Sequence, residues 1–392
     1  MADFFWIDNS GDINDSNHYS SSSGGSAGGD IPGESDTLYF DLNSFSTTGQ
    51  TVSANVPIAV TGMDWRTVTN APVLDMIEAL SFTNAVSLRL GTNMTIVGTN
   101  SFELISGGNI DGKGVLIPSL ILNGENSAIN LLSSLNTSYF KITNSSKFNS
   151  KNYPMTIGEF EIEGTCSVTL GTSNLTCDSL SAVYNDAKGT INFGTSTLNI
   201  NDSFTMELSN SGTESVFSGI KNIVSGTGNT FTFNGGSISY NYLTLKAGTN
   251  TITDSNTITN LSIDAGKEVQ FQASSTQTLT DLSGDGISGS LTYLRSNSTG
   301  SQFTLSKSSG TLSINYVQIK DSIATGGATF EAGMEGYDLL NNTGWTFIRG
   351  DYLSKDLKPQ NEIETKKSKN DSVTNLKSIE SEVITETPQF NL

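Results

Sequence analysis

EFEIEGTCSVTLG, residues 159–171, alternates apolar and polar residues, breaks at a glycine-containing turn, then alternates again. Phe160 and Ile162 fall on one side of the first run, and Val168 and Leu170 on one side of the second. A period of two is that of a half-buried strand, so the segment reads strand, turn, strand. Working outward, the same form returns in SLRLGTNMTIVG (87–98), SLILNGENSAINL (119–131), TLNINDSFTMEL (197–208), YLTLKAGTNTIT (242–253) and NLSIDAGKEVQFQ (260–272). The apolar residue that opens each copy recurs at Phe160, Leu180, Leu198, Ile220, Leu243, Leu261 and Leu282, in steps of 20, 18, 22, 23, 18 and 21 residues. One such unit cannot bury its apolar face alone, whereas stacked units can; a repeat of about twenty residues made only of strand and turn therefore predicts a β-solenoid.

The reading is thus all-β: a parallel β-helix of about ten coils over residues 37–290. An entry segment occupies 1–36, a β-rich C-terminal cap 291–348 and a flexible charged tail 349–392. The steps lengthen upstream, to 32 residues between Leu88 and Leu120 and 40 between Leu120 and Phe160. The surplus falls in polar stretches such as SSLNTSYFKITNSSKFNSKN (133–152), which predicts loops projecting from one face, the place to look for binding. LDMIEALSF (74–82) fits a short helix or a bent strand. Aromatics gather at 291–347, where they suit a cap over the last coil better than a binding platform.

Composition narrows the function classes. The 392 residues include 39 acidic and 20 basic ones, a net charge of −19, which disfavours nucleic acid and anionic membrane as partners. No apolar run approaches a membrane-spanning length, and MADFFWIDNSGDIND lacks the basic and apolar regions of a signal peptide. Only 15% of residues are charged; the polarity comes from Ser, Thr, Asn and Gly, which suit tight turns. Cys166 and Cys177 share strand parity with apolar neighbours and read as buried thiols, with a disulfide allowed but not implied.

Catalytic chemistry has few carriers here. His18 is the single histidine, which excludes His-pair zinc sites and disfavours a Ser-His-Asp triad; beside Asp12 and Asp15 it reads as a loop residue bonded to backbone. Carboxylates remain, and glycoside hydrolysis needs two of them across the scissile bond. Glu159, Glu161 and Glu163 alternate with Phe160 and Ile162 and so face outward, with Asp178 and Asp186 one coil on. That register reads as a solvated strand face, and like charges on adjacent coils would also suit a cation. There is no calcium-loop motif and no phosphate loop, so neither a metal nor a cofactor is expected. Tyr39, Tyr139, Tyr153, Tyr184, Tyr240 and Tyr242 are candidates for stacking on sugar rings. The binding reading settles on Tyr139, Tyr153, Glu159 and Glu161.

Two segments resemble known proteins. WIDNSGDINDSNHYS (6–20), its Gly/Ser loop and IPGESDTLYFD (31–41) resemble the opening of β-helical structural proteins of tailed phages and of G8-like β-helix domains. LTYLRSNSTGSQFTLSKSSGTLSINYVQIKDSIATGGATFEAG (291–333), with NNTGWTF (341–347), resembles the close of the same phage proteins. Ile13 and Tyr19 stand where such openings often carry Trp. The resemblance implies a non-enzymatic virion protein of tail, fibre or surface type, made in the host cytoplasm and located in the virion. It would meet other virion proteins, through 349–392 in our reading, and a cell-surface glycan; fold analogy adds a homotrimer. The alternatives are a tailspike-type polysaccharide depolymerase with paired carboxylates and a bacterial surface adhesin.

Overall fold

The computed structural model describes residues 1–184, 189–208, 217–219 and 221–348. Parallel strands stack as a β-solenoid of about 14 turns, nearly without helix. One ladder climbs through Thr37–Tyr39, Ile58–Asp64, Leu80–Arg89, Ser101–Leu104, Leu116–Leu122, Leu135–Ile142, Met155–Glu163, Asn174–Tyr184 and Thr197–Leu208, each strand pairing in parallel with the one a coil later. A second face carries Gly108–Asp111, Ala128–Leu131, Lys147–Asn149, Ser167–Thr169 and Thr190–Asn192. Short third faces of four and three strands flank the early and the final coils.

The core is a set of columns along the axis. Leu80, Phe102, Leu120, Phe140, Phe160, Leu180, Phe204 and Phe233 follow one another in register, all buried. Each such side chain contributes about 1.5–3 kcal/mol by leaving water. The column persists because the spacing returns an apolar residue to the same place on every coil.

That register corrects the expected count of about ten coils and removes the expected loops. Phe140 pairs with both Leu120 and Phe160, so the 40-residue step is two coils of 20. Residues 133–152 contain the strands Leu135–Ile142 and Lys147–Asn149 and form a complete coil. The 32-residue step likewise hides a coil, since Leu88 pairs with Ile110 and Ile110 with Leu131, while Phe102 links Leu80 to Leu120. Polar residues fill the outer positions and turns there, and they mask a short apolar alternation. Leu198 also shifts: it pairs with Leu175 and Ile223, while Leu180 pairs with Phe204. Ile220 lies outside the described residues. LDMIEALSF is strand, ending Val73–Met76 and beginning Leu80–Arg89, because each end joins a neighbouring coil.

The entry segment is the first turn. Asp3–Trp6 pairs in parallel with Thr37–Tyr39 and antiparallel with Tyr19–Ser20, which covers its outer edge. Behind it Trp6, Tyr19, Phe40 and Trp65 are buried, with Phe40 and Trp65 stacked 3.6 Å apart. His18 stacks on Trp6 at 4.7 Å, and its Nδ1 lies 2.9 Å from the Ile7 carbonyl oxygen. At the other end Thr292–Ser296, Val317–Lys320 and Gly336–Asp338 continue the ladder that passes through Phe204 and Phe233. The tail expected at 349–392 lies outside the described residues.

Candidate functional site

The longest strands change phase halfway. In Met155–Glu163 the inward residues are Met155 and Ile157, then Phe160 and Ile162; Gly158 and Glu159 both turn outward between them. The strand below repeats this with Ser138 and Tyr139, and the strand above with Asp178 and Ser179. Next comes a wider irregularity, with Asn201, Asp202 and Ser203 all outward and the register shifted after Cys177. Pairing runs Thr137–Ile157–Cys177, then resumes at Tyr139–Glu159–Ser179. The strands therefore bend at one place on successive coils, and the outward doublets stack into a corner. Gly158 is required there, because a Cβ would run into the carbonyl oxygen of Ser138.

Along the corner runs a groove of about 540 Å³, lined by Asn136, Thr156, Glu159, Thr176, Asp178 and Asp202 among others. Its walls offer hydroxyl, amide and carboxylate groups at the spacing of the coils, about 4.8 Å. Asn201 Nδ2 donates to Asp178 Oδ1 at 2.8 Å. Beside the groove, the Tyr139 hydroxyl donates to Glu161 Oε2 at 2.6 Å. Lys141 Nζ sits 3.4 Å from Glu161 Oε2 and 2.8 Å from Glu163 Oε2. Burial, and then the bond to Glu161, raise the Tyr139 phenol well above its ordinary range. Glu163 above all holds the Lys141 ammonium up.

The sequence candidates separate. Glu159 lines the groove and Asp178 joins it from the next coil. Glu161 stands beside the groove, engaged by Tyr139 and Lys141. Tyr139 is half-buried with its hydroxyl committed to Glu161. Tyr153 is exposed in the turn leading into Met155–Glu163, apart from the corner. Tyr240 is fully buried, its hydroxyl bonded to the Gly235 carbonyl, because the phase change puts it inward; Tyr39 stacks on Phe5. Tyr242 is exposed, and Asp186 lies outside the described residues, as does the side chain of Tyr184. Asn136, Thr156, Thr176, Asn201 and Asp202 were missed; two consecutive polar residues between apolar alternations of opposite phase mark the corner.

The two thiols are buried and unpaired with each other. Burial pushes Cys166 up to about 11 and Cys177 up to about 12. Among the described residues no group of three or more His, Cys, Asp or Glu side chains gathers to hold a metal ion. No protein family matches the chain, and no curated protein or solved structure is significantly similar to it.

Proposed function

We propose that this protein is a non-enzymatic structural component of a phage particle, of tail, fibre or surface type, and that its corner groove binds a hydroxyl-rich polysaccharide on the host surface. The observation that carries the binding reading is the groove: a column of hydroxyl, amide and carboxylate side chains repeated coil after coil on a rigid stack. A sugar chain offers hydroxyls at a similar repeat, and rigid donors and acceptors lose little entropy on meeting it. Three carboxylates at or beside the groove are engaged, Asp178 by Asn201 and Glu161 and Glu163 by Lys141. Such carboxylates suit hydrogen bonds from sugar hydroxyls better than the roles of a free acid and nucleophile facing each other across a glycosidic bond. The virion assignment draws on the resemblance of the two ends and on the β-solenoid.

Two measurements test the proposal. Mass spectrometry of purified particles should detect the chain, and its absence from intact virions would remove the structural role. Host polysaccharide should bind the purified protein, with Glu159→Gln and Asp178→Asn each weakening binding and leaving the fold intact. New reducing ends in that incubation would replace the proposal with a depolymerase.

A further inference from the structure

We infer a second saccharide platform, separate from the corner, on the outward face of the last coils. On the strands that continue the ladder beyond Phe204 and Phe233, Thr249, Glu268, Tyr293, Gln318 and Tyr337 stand in one column, each paired in register with the next. They point outward because Val269, Leu294 and Ile319, their neighbours in the strands, are buried. Two tyrosine rings thus stand two coils apart, about 10 Å, with a side-chain amide between them. Tyr337 is 43% exposed.

Tyr293 borders a cavity of about 400 Å³ whose other walls include Gly266, Gly289, Ser290 and Glu335. The ring is braced by its neighbours: the Arg295 guanidinium lies 5.2 Å from its centroid and its Nε 3.5 Å from Glu268 Oε1. Gln270 Nε2 donates to the same Glu268 oxygen at 2.7 Å. Tyr293 lines the cavity and Arg295 does not. A braced ring has already lost the rotamer freedom that binding would otherwise remove.

The chemistry favours a neutral pyranose chain. The apolar C–H face of a sugar ring lies on a tyrosine ring, and an amide or carboxylate beside it takes the hydroxyls. Gln318 and Glu335 are placed for this. Charge on the patch cancels, with Lys267, Arg295 and Lys320 set against Glu268, Glu335 and Asp338, so neither an acidic nor a basic ligand is drawn to it. Several other aromatics of the same segment, such as Phe303 and Phe330, are buried and close the stack. Tyr293 and Tyr337 fall on the opposite strand parity and are left outside.

The test is a fluorescence titration of the full chain with three neutral probes: cellohexaose, maltohexaose and N-acetylchitohexaose. At least one should bind. Tyr293→Ala and Tyr337→Ala should each weaken it about tenfold, the value of one ring stacking pair. The double alanine variant should lose it, with an unchanged melting temperature, and the double phenylalanine variant should keep it. Asp178→Asn should leave this binding unaltered, which separates the platform from the corner groove. The inference is overturned if none of the probes binds, if the double alanine variant binds normally, or if Asp178→Asn alone abolishes binding.

Discussion

Replacing Phe140 with alanine separates a coil from a loop. Phe140 is fully buried, stacked on Phe160 at 5.0 Å and edge-on to Phe148 at 5.1 Å. Removing a buried phenylalanine costs about 3–5 kcal/mol, of which the two ring contacts account for about 0.5–1.5 kcal/mol each. Were residues 133–152 a projecting loop, the same change would cost under about 0.5 kcal/mol, as surface substitutions do. In a solenoid the loss stays near its coil, since each coil contacts only its neighbours. Native-state hydrogen exchange is the matching assay. Amide protection in the strands Leu116–Leu122 through Asn174–Tyr184 should fall by about a hundredfold to several thousandfold, at a factor of ten per about 1.4 kcal/mol. Strands beyond residue 250 should keep theirs. Tyr153→Ala, in the exposed turn of the same coil, is the control and should change nothing measurable. Equal protection in Phe140→Ala and the parent protein would refute the coil assignment; a uniform loss along the whole stack would refute the nearest-neighbour account.

Gly158→Ala should destabilise by about 1–3 kcal/mol, because the new methyl group meets the Ser138 carbonyl and the coils must part; a thermal melt checks it. Glu161→Gln should bring the Tyr139 phenol down toward its ordinary range without restoring it, since burial is the larger cause; ultraviolet titration reads the shift. Lys141→Met removes the ion pairs with Glu161 and Glu163 at a partly exposed site, and urea unfolding should show a loss below about 1 kcal/mol. Burial raises Cys177 from the usual 9.0 to about 12, so its stabilisation is present below pH 9.0 and fades as pH climbs toward 12. The unfolded chain releases that proton first, so stability falls with rising pH, and Cys177→Ala should flatten that alkaline decline in urea unfolding. Neither thiol should react with a maleimide in the native protein at neutral pH, because both are buried and protonated.

Much of the site was visible only in part. Glu159 and Asp178 were found because carboxylates on outward strand positions of adjacent coils are easy to register from sequence. The groove between them was not, since a bend depends on where successive coils interrupt their pairing. The phase change that marks it, from Ile157 to Phe160 through two outward residues, resembles an ordinary turn when one strand is read alone. Only its repetition at Ser138–Tyr139 and Asp178–Ser179 distinguishes it. Tyr139 shows the same limit: its outward parity is plain in the sequence, and its bond to Glu161 exists only because the two lie on neighbouring coils.

By itself the sequence determined the parallel β-solenoid, because side-chain alternation and a twenty-residue return are local properties that hydrophobic burial converts directly into stacked strands. It also placed Cys166 and Cys177 among the buried residues and His18 against the backbone, through parity and context. The tertiary structure alone decided how many coils there are and which residue faces which. Phe140 enters the core column on the strength of Leu120 below and Phe160 above, and Leu198 takes Leu175 and Ile223 as its partners. A strand's register is set by the coils against which it packs, and one chain segment carries no record of its neighbours' spacing.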